Sequence, residues 1–133
     1  MPRLSDLLRA PFGITPQADS LSATWIRAGD AARWFSRSAW SMAVVARWRQ
    51  RLTEKSVVTV WVPDCFCNES LALLREMGSR LFFYPVDERG HAVFGQFRVV
   101  NDDNRPDLFL VVHYFGEPAP CDEALAFCKG HGA

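Results

Sequence analysis

A chain of 133 residues, half of them hydrophobic, with fifteen basic side chains against fifteen acidic ones, has room for one modest domain and not two. The balanced charge provides no basic surface of the kind that nucleic acid or an anionic membrane requires. No apolar run approaches the length of a membrane span, while five Trp and ten Phe supply the bulk of a real core.

The first residues lack the long apolar stretch of a signal peptide, so the expected compartment is the cytoplasm. Four cysteines are present: Cys65, Cys67, Cys121 and Cys128. A cytoplasmic chain without a dense cysteine framework is not expected to form disulfides. The spacings do not match paired zinc ligands, and no metal site is expected. Cys121 and Cys128 read as buried, inert thiols.

Residues 1–32 are weakly patterned and read as an N-terminal arm, partly helix and partly loop. Leu4, Leu7 and Leu8 share one face of a short helix that Pro11, Gly13 and Pro16 interrupt. Residues 33–133 read as an incomplete α/β domain. Its first element is a helix over 39–52, in which Trp40, Ala43, Val44 and Trp48 follow three- and four-residue spacing. Trp40 and Trp48 read as core. Ser36 or Ser38 is the expected N-cap. A helix start preceded by small polar residues also offers backbone N–H groups to a phosphate, although capping alone accounts for serines there. The local excess Arg47, Arg49 and Arg51 suits the negative end of that helix.

Residues 57–62 are apolar and β-branched apart from Thr59 and Trp61, which predicts a strand buried on both faces of a parallel sheet. Pro63 ends it. Asn68, Glu69 and Ser70 open a helix that continues through 71–77 and stops at Gly78. A second buried strand is expected over 80–86, a turn over 87–90, and a short helix near Phe94 and Phe97. A third buried strand is expected over 108–113, with an exit loop over 114–120. A last helix covers 121–128 and is capped by Gly130 or Gly132. This alternation means an α/β sheet with parallel neighbours. In such sheets ligands bind at the carboxyl ends of the strands, which directs attention to the turn over 64–70.

The ordered set of motifs resembles the first part of the large domain of fold-type I pyridoxal-phosphate (PLP) enzymes, specifically the DegT/StrS-type sugar aminotransferases. Phe35-Ser36-Arg37-Ser38-Ala39 and its helix are similar to the family's Ser-Gly-Thr/Arg-Ser-Ala segment. Val60-Trp61-Val62-Pro63-Asp64-Cys65-Phe66-Cys67 resembles its Val-x-Val-Pro strand and turn. Leu110-Val111-Val112-His113-Tyr114-Phe115-Gly116-Glu117-Pro118 resembles its strand ending in His-x-x-Gly-x-Pro. The resemblance implies that Ser36, Arg37 and Ser38 hold the PLP phosphate. It places Phe66 or Cys67 against the pyridine ring and His113 near the site. It further implies a homodimer acting on a nucleotide-sugar or amino-acid substrate.

Two departures accompany it. The family's aspartate for the pyridine nitrogen lies beyond the matched region. The two lysines, Lys55 and Lys129, are not in the context of a Schiff-base lysine. The expectation is a truncated transferase-type domain with no catalytic residues of its own. The rival expectation is a small non-catalytic α/β module that pairs with a partner chain through an open sheet edge.

Overall fold

The structure, a computed structural model, describes residues 22–24, 26–99, 101 and 103–133. The chain divides into two units, Met1–Ser36 and Arg37–Ala133. In the first, Asp30 N–H donates to Arg27 O at 3.0 Å and Arg27 N–H donates to Asp30 Oδ2 at 3.1 Å, closing a tight turn. The helix expected around Leu4, Leu7 and Leu8 lies outside the described residues.

The second unit carries the sheet. Its order is α1 (Ser38–Thr53), β1 (Thr59–Pro63), a 3-10 turn (Asn68–Leu71), α2 (Ala72–Glu76) and β2 (Arg80–Tyr84). A 3-10 turn (Phe94–Gln96), β3 (Leu108–Phe109), a third 3-10 turn (Tyr114–Gly116) and α3 (Cys121–His131) follow. The three strands form one parallel sheet in the order β2–β1–β3. Trp61 stands beside Phe82 on one side and Phe109 on the other. The α/β class and parallel pairing expected from the sequence are therefore present.

All five residues of β1 are buried, which is why its apolar run does not alternate. Because side chains alternate across a strand, β1 feeds two different cores. Val60 and Val62 pack with Ala46, Leu71 and Leu74 under α1 and α2, with Met42, Phe66, Leu81 and Leu110 against them. Trp61 points the other way into an aromatic layer. Its ring stacks on Phe82 at 4.4 Å and meets Phe97 and Phe127 at 5.4 Å. Its indole N–H donates to Asn104 O at 2.7 Å, so the one polar atom of this buried ring is satisfied.

Several element boundaries differ from expectation. β2 is an edge strand with Phe83 exposed, and it is not buried on both faces. β3 covers only Leu108–Phe109, shorter than the expected 108–113. Leu110 N–H still donates to Trp61 O at 2.9 Å. In a parallel ladder the next bond returns from the residue two beyond Trp61 on β1. That residue is Pro63, which has no N–H. The orphaned Leu110 carbonyl is taken instead by Tyr84 Oη at 2.6 Å. The ladder between β1 and β3 stops there.

The expected helix over 68–77 divides into the 3-10 turn and α2. Gly78 closes α2 as anticipated, at φ +71°. Its N–H donates to Arg75 O and that of Ser79 to Leu74 O, both at 2.9 Å, the paired bonds of a Schellman cap. The N-cap of α1 is Arg37, without a side-chain cap, and neither Ser36 nor Ser38 fills that role. Trp40 and Trp48 are exposed, at 51% and 58%, and do not enter the core. The face that α1 turns inward carries Ala43, Ala46 and Gln50, because small side chains allow the helix to approach the sheet closely. Cys121 is likewise exposed, contrary to expectation, while Cys128 is half-buried. Gly132, at φ +73°, ends α3.

Candidate functional site

The carboxyl edge of the sheet is assembled from three places in the chain. The first is the start of α1. This helix lies along β1, with Met42 and Ala46 against the Val60 and Val62 face and its body against α2 and the Asn68–Leu71 turn. Its C-terminal end leads into the start of β1, so its N-terminal end lies toward the end of β1. Arg37 is extended at the N-cap, and the first turn contains no acidic residue. Ser38 opens the helix with its side chain exposed, and its carbonyl accepts from Ser41 Oγ at 2.8 Å. Ser36 is exposed and is the last residue of the preceding unit.

The second is the turn after β1. Phe66 is half-buried against the aliphatic core, its N–H donating to Pro63 O at 3.0 Å. Its ring is thereby committed to packing. Cys67 is exposed at the head of the Asn68–Leu71 turn. The backbone N–H and then the hydroxyl of Ser70, with the N–H of Glu69, hold its thiol below the usual cysteine range. Short turns that direct N–H groups at sulfur favour the thiolate. Asn68 is pinned from α2: Arg75 donates to its carbonyl at 3.1 Å and to Oδ1 at 2.6 Å.

The third is the loop after β3. His113 is exposed, and its Nδ1 accepts the Ala119 N–H at 2.9 Å. A backbone donor on Nδ1 puts the proton of the neutral ring on Nε2. His113 thus fastens its own loop. Tyr114 was not singled out in the sequence, yet it joins the loop to the β1 turn: the Cys65 thiol donates to Tyr114 Oη at 3.3 Å. Burial, then that contact, pushes the Tyr114 phenol up to about 12. Phe115 is fully exposed in a left-handed conformation, φ +53°, which is uncommon for a large residue. Gly90, at φ +80°, comes so close to the Tyr114 ring that a Cβ there would lie 2.4 Å from it. A cleft of about 510 Å³ opens between Cys65, the turn over 87–90 and the loop over 114–117. Asp87, Glu88 and Glu117 outweigh Arg89 along it, and Arg89 lies 3.6 Å from Glu117.

The structure therefore sorts the predicted residues. Arg37 and Ser38, Cys67 and His113 belong to elements that end at the same sheet edge, while Phe66 turns into the core. PLP requires an anion site and an amine. The start of α1, uncapped and without a nearby acid, fits a phosphate. No lysine fits the amine. Lys55 is at the opposite end of β1, 2.5 Å from Asp107. Lys129 is in the last turn of α3, whose end is tied by Arg105 to His131 O at 2.5 Å and by Arg49 to Gly132 O. Among the described residues no group of His, Cys, Asp and Glu is arranged to hold a metal, and no helix is long and apolar enough to cross a membrane. Comparisons of the chain with protein-family models, curated proteins and solved structures find no match.

Proposed function

We propose that this chain is the sheet-forming front part of a PLP-transferase-like large domain of the sugar-aminotransferase type. It holds the phosphate end of the cofactor without catalysing transamination by itself. The observation that carries this reading is the position of the α1 start: an uncapped helix N-terminus at the carboxyl edge of the sheet, beside the turn after β1. A phosphate there accepts backbone N–H groups and meets the positive end of a sixteen-residue helix. Arg37 adds a guanidinium, and Ser38 adds a hydroxyl. The carboxylate-lined cleft near Tyr114 repels such an anion and leaves the helix start as its place. Neither lysine of the chain is placed at this edge to form an imine with the aldehyde, so binding is without a Schiff base.

The test is a PLP titration followed by near-visible absorption, with inorganic phosphate as competitor and borohydride as trap. The expected result is reversible binding that phosphate displaces, that Ser38→Asp abolishes and that borohydride leaves unfixed. Absence of binding at millimolar PLP overturns the proposal, as does stoichiometric reductive fixation at Lys55 or Lys129.

A second reading, a non-catalytic module that docks on a partner chain, is favoured by a different observation. α1 presents Trp40, Val44, Val45, Trp48 and Leu52 to solvent, each roughly half exposed. Size measurement of the purified chain alone and with co-expressed partners separates this reading from the first.

A further inference from the structure

We infer that the outward face of α1 is a docking surface for an acidic amphipathic helix of a partner protein. This inference rests on the second reading above and gives that partner a chemistry. Trp40, Val44, Trp48 and Leu52 recur every four residues and form one continuous stripe along the exposed side of the helix. An apolar stripe read at helical spacing is what a helix laid in a groove recognises.

Charge selects the occupant. The whole chain is neutral, with fifteen charges of each sign. The segment 37–55 nevertheless carries Arg37, Arg47, Arg49, Arg51 and Lys55 against Glu54 alone; Lys55 pairs with Asp107 and Arg49 reaches Gly132 O, which leaves Arg37, Arg47 and Arg51 for a partner. Arg47 and Arg51 are one turn apart and flank the stripe at its Trp40 and Val44 side. Arg47 donates to Gln50 Oε1 at 3.2 Å, and among the described residues no carboxylate forms an ion pair with Arg37, Arg47 or Arg51. A partner presenting Asp or Glu beside its apolar residues satisfies both halves of this face.

Shape narrows it further. On the other side of the stripe an apolar cleft of about 260 Å³ opens between Met42 and Val45 of α1, Leu108 of β3 and Leu110 just beyond it. A side chain fills such a cleft, whereas a flat lipid surface does not. A second copy is disfavoured. Two-fold antiparallel packing of the stripe about Ala46 sets Trp40 against Leu52 and Val44 against Trp48, and it brings Arg47 toward its own mate.

The experiment is calorimetric titration of the whole chain with a synthetic helix of about 18 residues, five turns. The peptide has Leu at helical spacing and Glu along one flank, and a twin carries Lys for every Glu. The acidic peptide is expected to bind at least about tenfold more tightly than the twin, with an affinity that falls as salt rises. Arg47→Glu with Arg51→Glu reverses the preference, and Trp48→Ser weakens the acidic peptide. Should the double variant fail to fold by circular dichroism, the salt dependence and Trp48→Ser carry the same test.

Equal affinity for both peptides, lost in Trp48→Ser, overturns the acidic chemistry and leaves partner docking standing. No binding of either overturns both. The inference also fails if phosphatidylglycerol vesicles bind and the peptides do not. It fails if Trp48-dependent self-association appears in sedimentation. A melting temperature lowered by Trp48→Ser in the isolated chain overturns it as well, since the chain itself then covers the stripe.

Discussion

Among single residues, Cys67 has the chemistry most open to measurement. Its thiol is exposed and held below the usual range by Ser70 and Glu69, whereas burial pushes the Cys128 thiol up. Iodoacetamide at pH near neutrality is expected to alkylate Cys67 first and Cys128 last. Ser70→Ala is expected to slow Cys67 severalfold, since it removes the hydroxyl bond and leaves the N–H. Peptide mass mapping over time reads the order, and equal rates at all four sites contradict it.

Asp87 is a second such residue. The His91 N–H, with that of Arg89, holds its carboxyl below the ordinary 3.8. A depressed folded value means stability that is present above the ordinary value and lost as pH falls through the depressed one. Between about pH 5 and pH 3 the urea midpoint should fall less in Asp87→Asn than in the wild type. Parallel acid limbs would show that Asp87 does not couple folding to protons.

At the scale of elements, the junction of the three strands depends on two polar groups. Tyr84 spans from β2 over the end of β1 to the Leu110 carbonyl, and its ring stacks on Phe109 at 4.6 Å. Burial pushes its phenol well above the usual tyrosine range. Tyr84→Phe leaves that carbonyl without a donor and is expected to cost about 1–3 kcal/mol in chemical denaturation. At the other end of β1, buried Asp107 accepts the Thr59 N–H at 2.8 Å and the Lys55 ammonium at 2.5 Å. Asp107→Ala strands the first amide of the central strand, with a loss of about 1–3 kcal/mol. One substitution should act in the opposite direction. Glu54 closes α1 at φ +55°, a conformation that glycine adopts without penalty. Relief of the left-handed penalty outweighs glycine's entropy cost, and Glu54→Gly is expected to stabilise the chain by about 0.5–1 kcal/mol, read as a raised melting temperature.

At the scale of the molecule, the legible and the illegible parts of the sequence separate for physical reasons. The central strand was legible because an unbroken apolar run such as Val58-Thr59-Val60-Trp61-Val62 fits a site covered on both faces, although Val57, at the head of the expected run, is exposed and lies outside the strand. The stop at Gly78 was legible because left-handed closure is a local requirement. The orientation of α1 was not. Periodicity tells which residues share a face; it does not tell which face meets the sheet, and here the Ala43 and Ala46 face wins over the tryptophans. The length of β3 was not legible either, since it is set by Pro63, a residue distant in the chain and on a neighbouring strand. At the candidate site, the start of α1 and the turn at Cys67 were found from local signals. Tyr114 acts through Cys65, far away in the chain, and had no local signature; Asp107, at the opposite end of β1, had none either. Trp61 unites the second unit, lying between the sheet and the aromatic layer. Trp61→Ala is expected to cost about 3–5 kcal/mol, a large share of the 5–15 kcal/mol typical of a domain, and to leave the chain largely unfolded by near-ultraviolet dichroism.

The missing proton at Pro63 has a consequence that can be read in time instead of space. Leu110 N–H is held by Trp61 O, whereas among the described residues no backbone bond holds the N–H of Val112 or His113. Solvent deuterons should therefore enter at Val112 and His113 long before they enter at Leu110, a step in exchange rate within three residues. That step marks where the chain stops being sheet and becomes the rim of a crevice. It follows from one imino acid on the neighbouring strand.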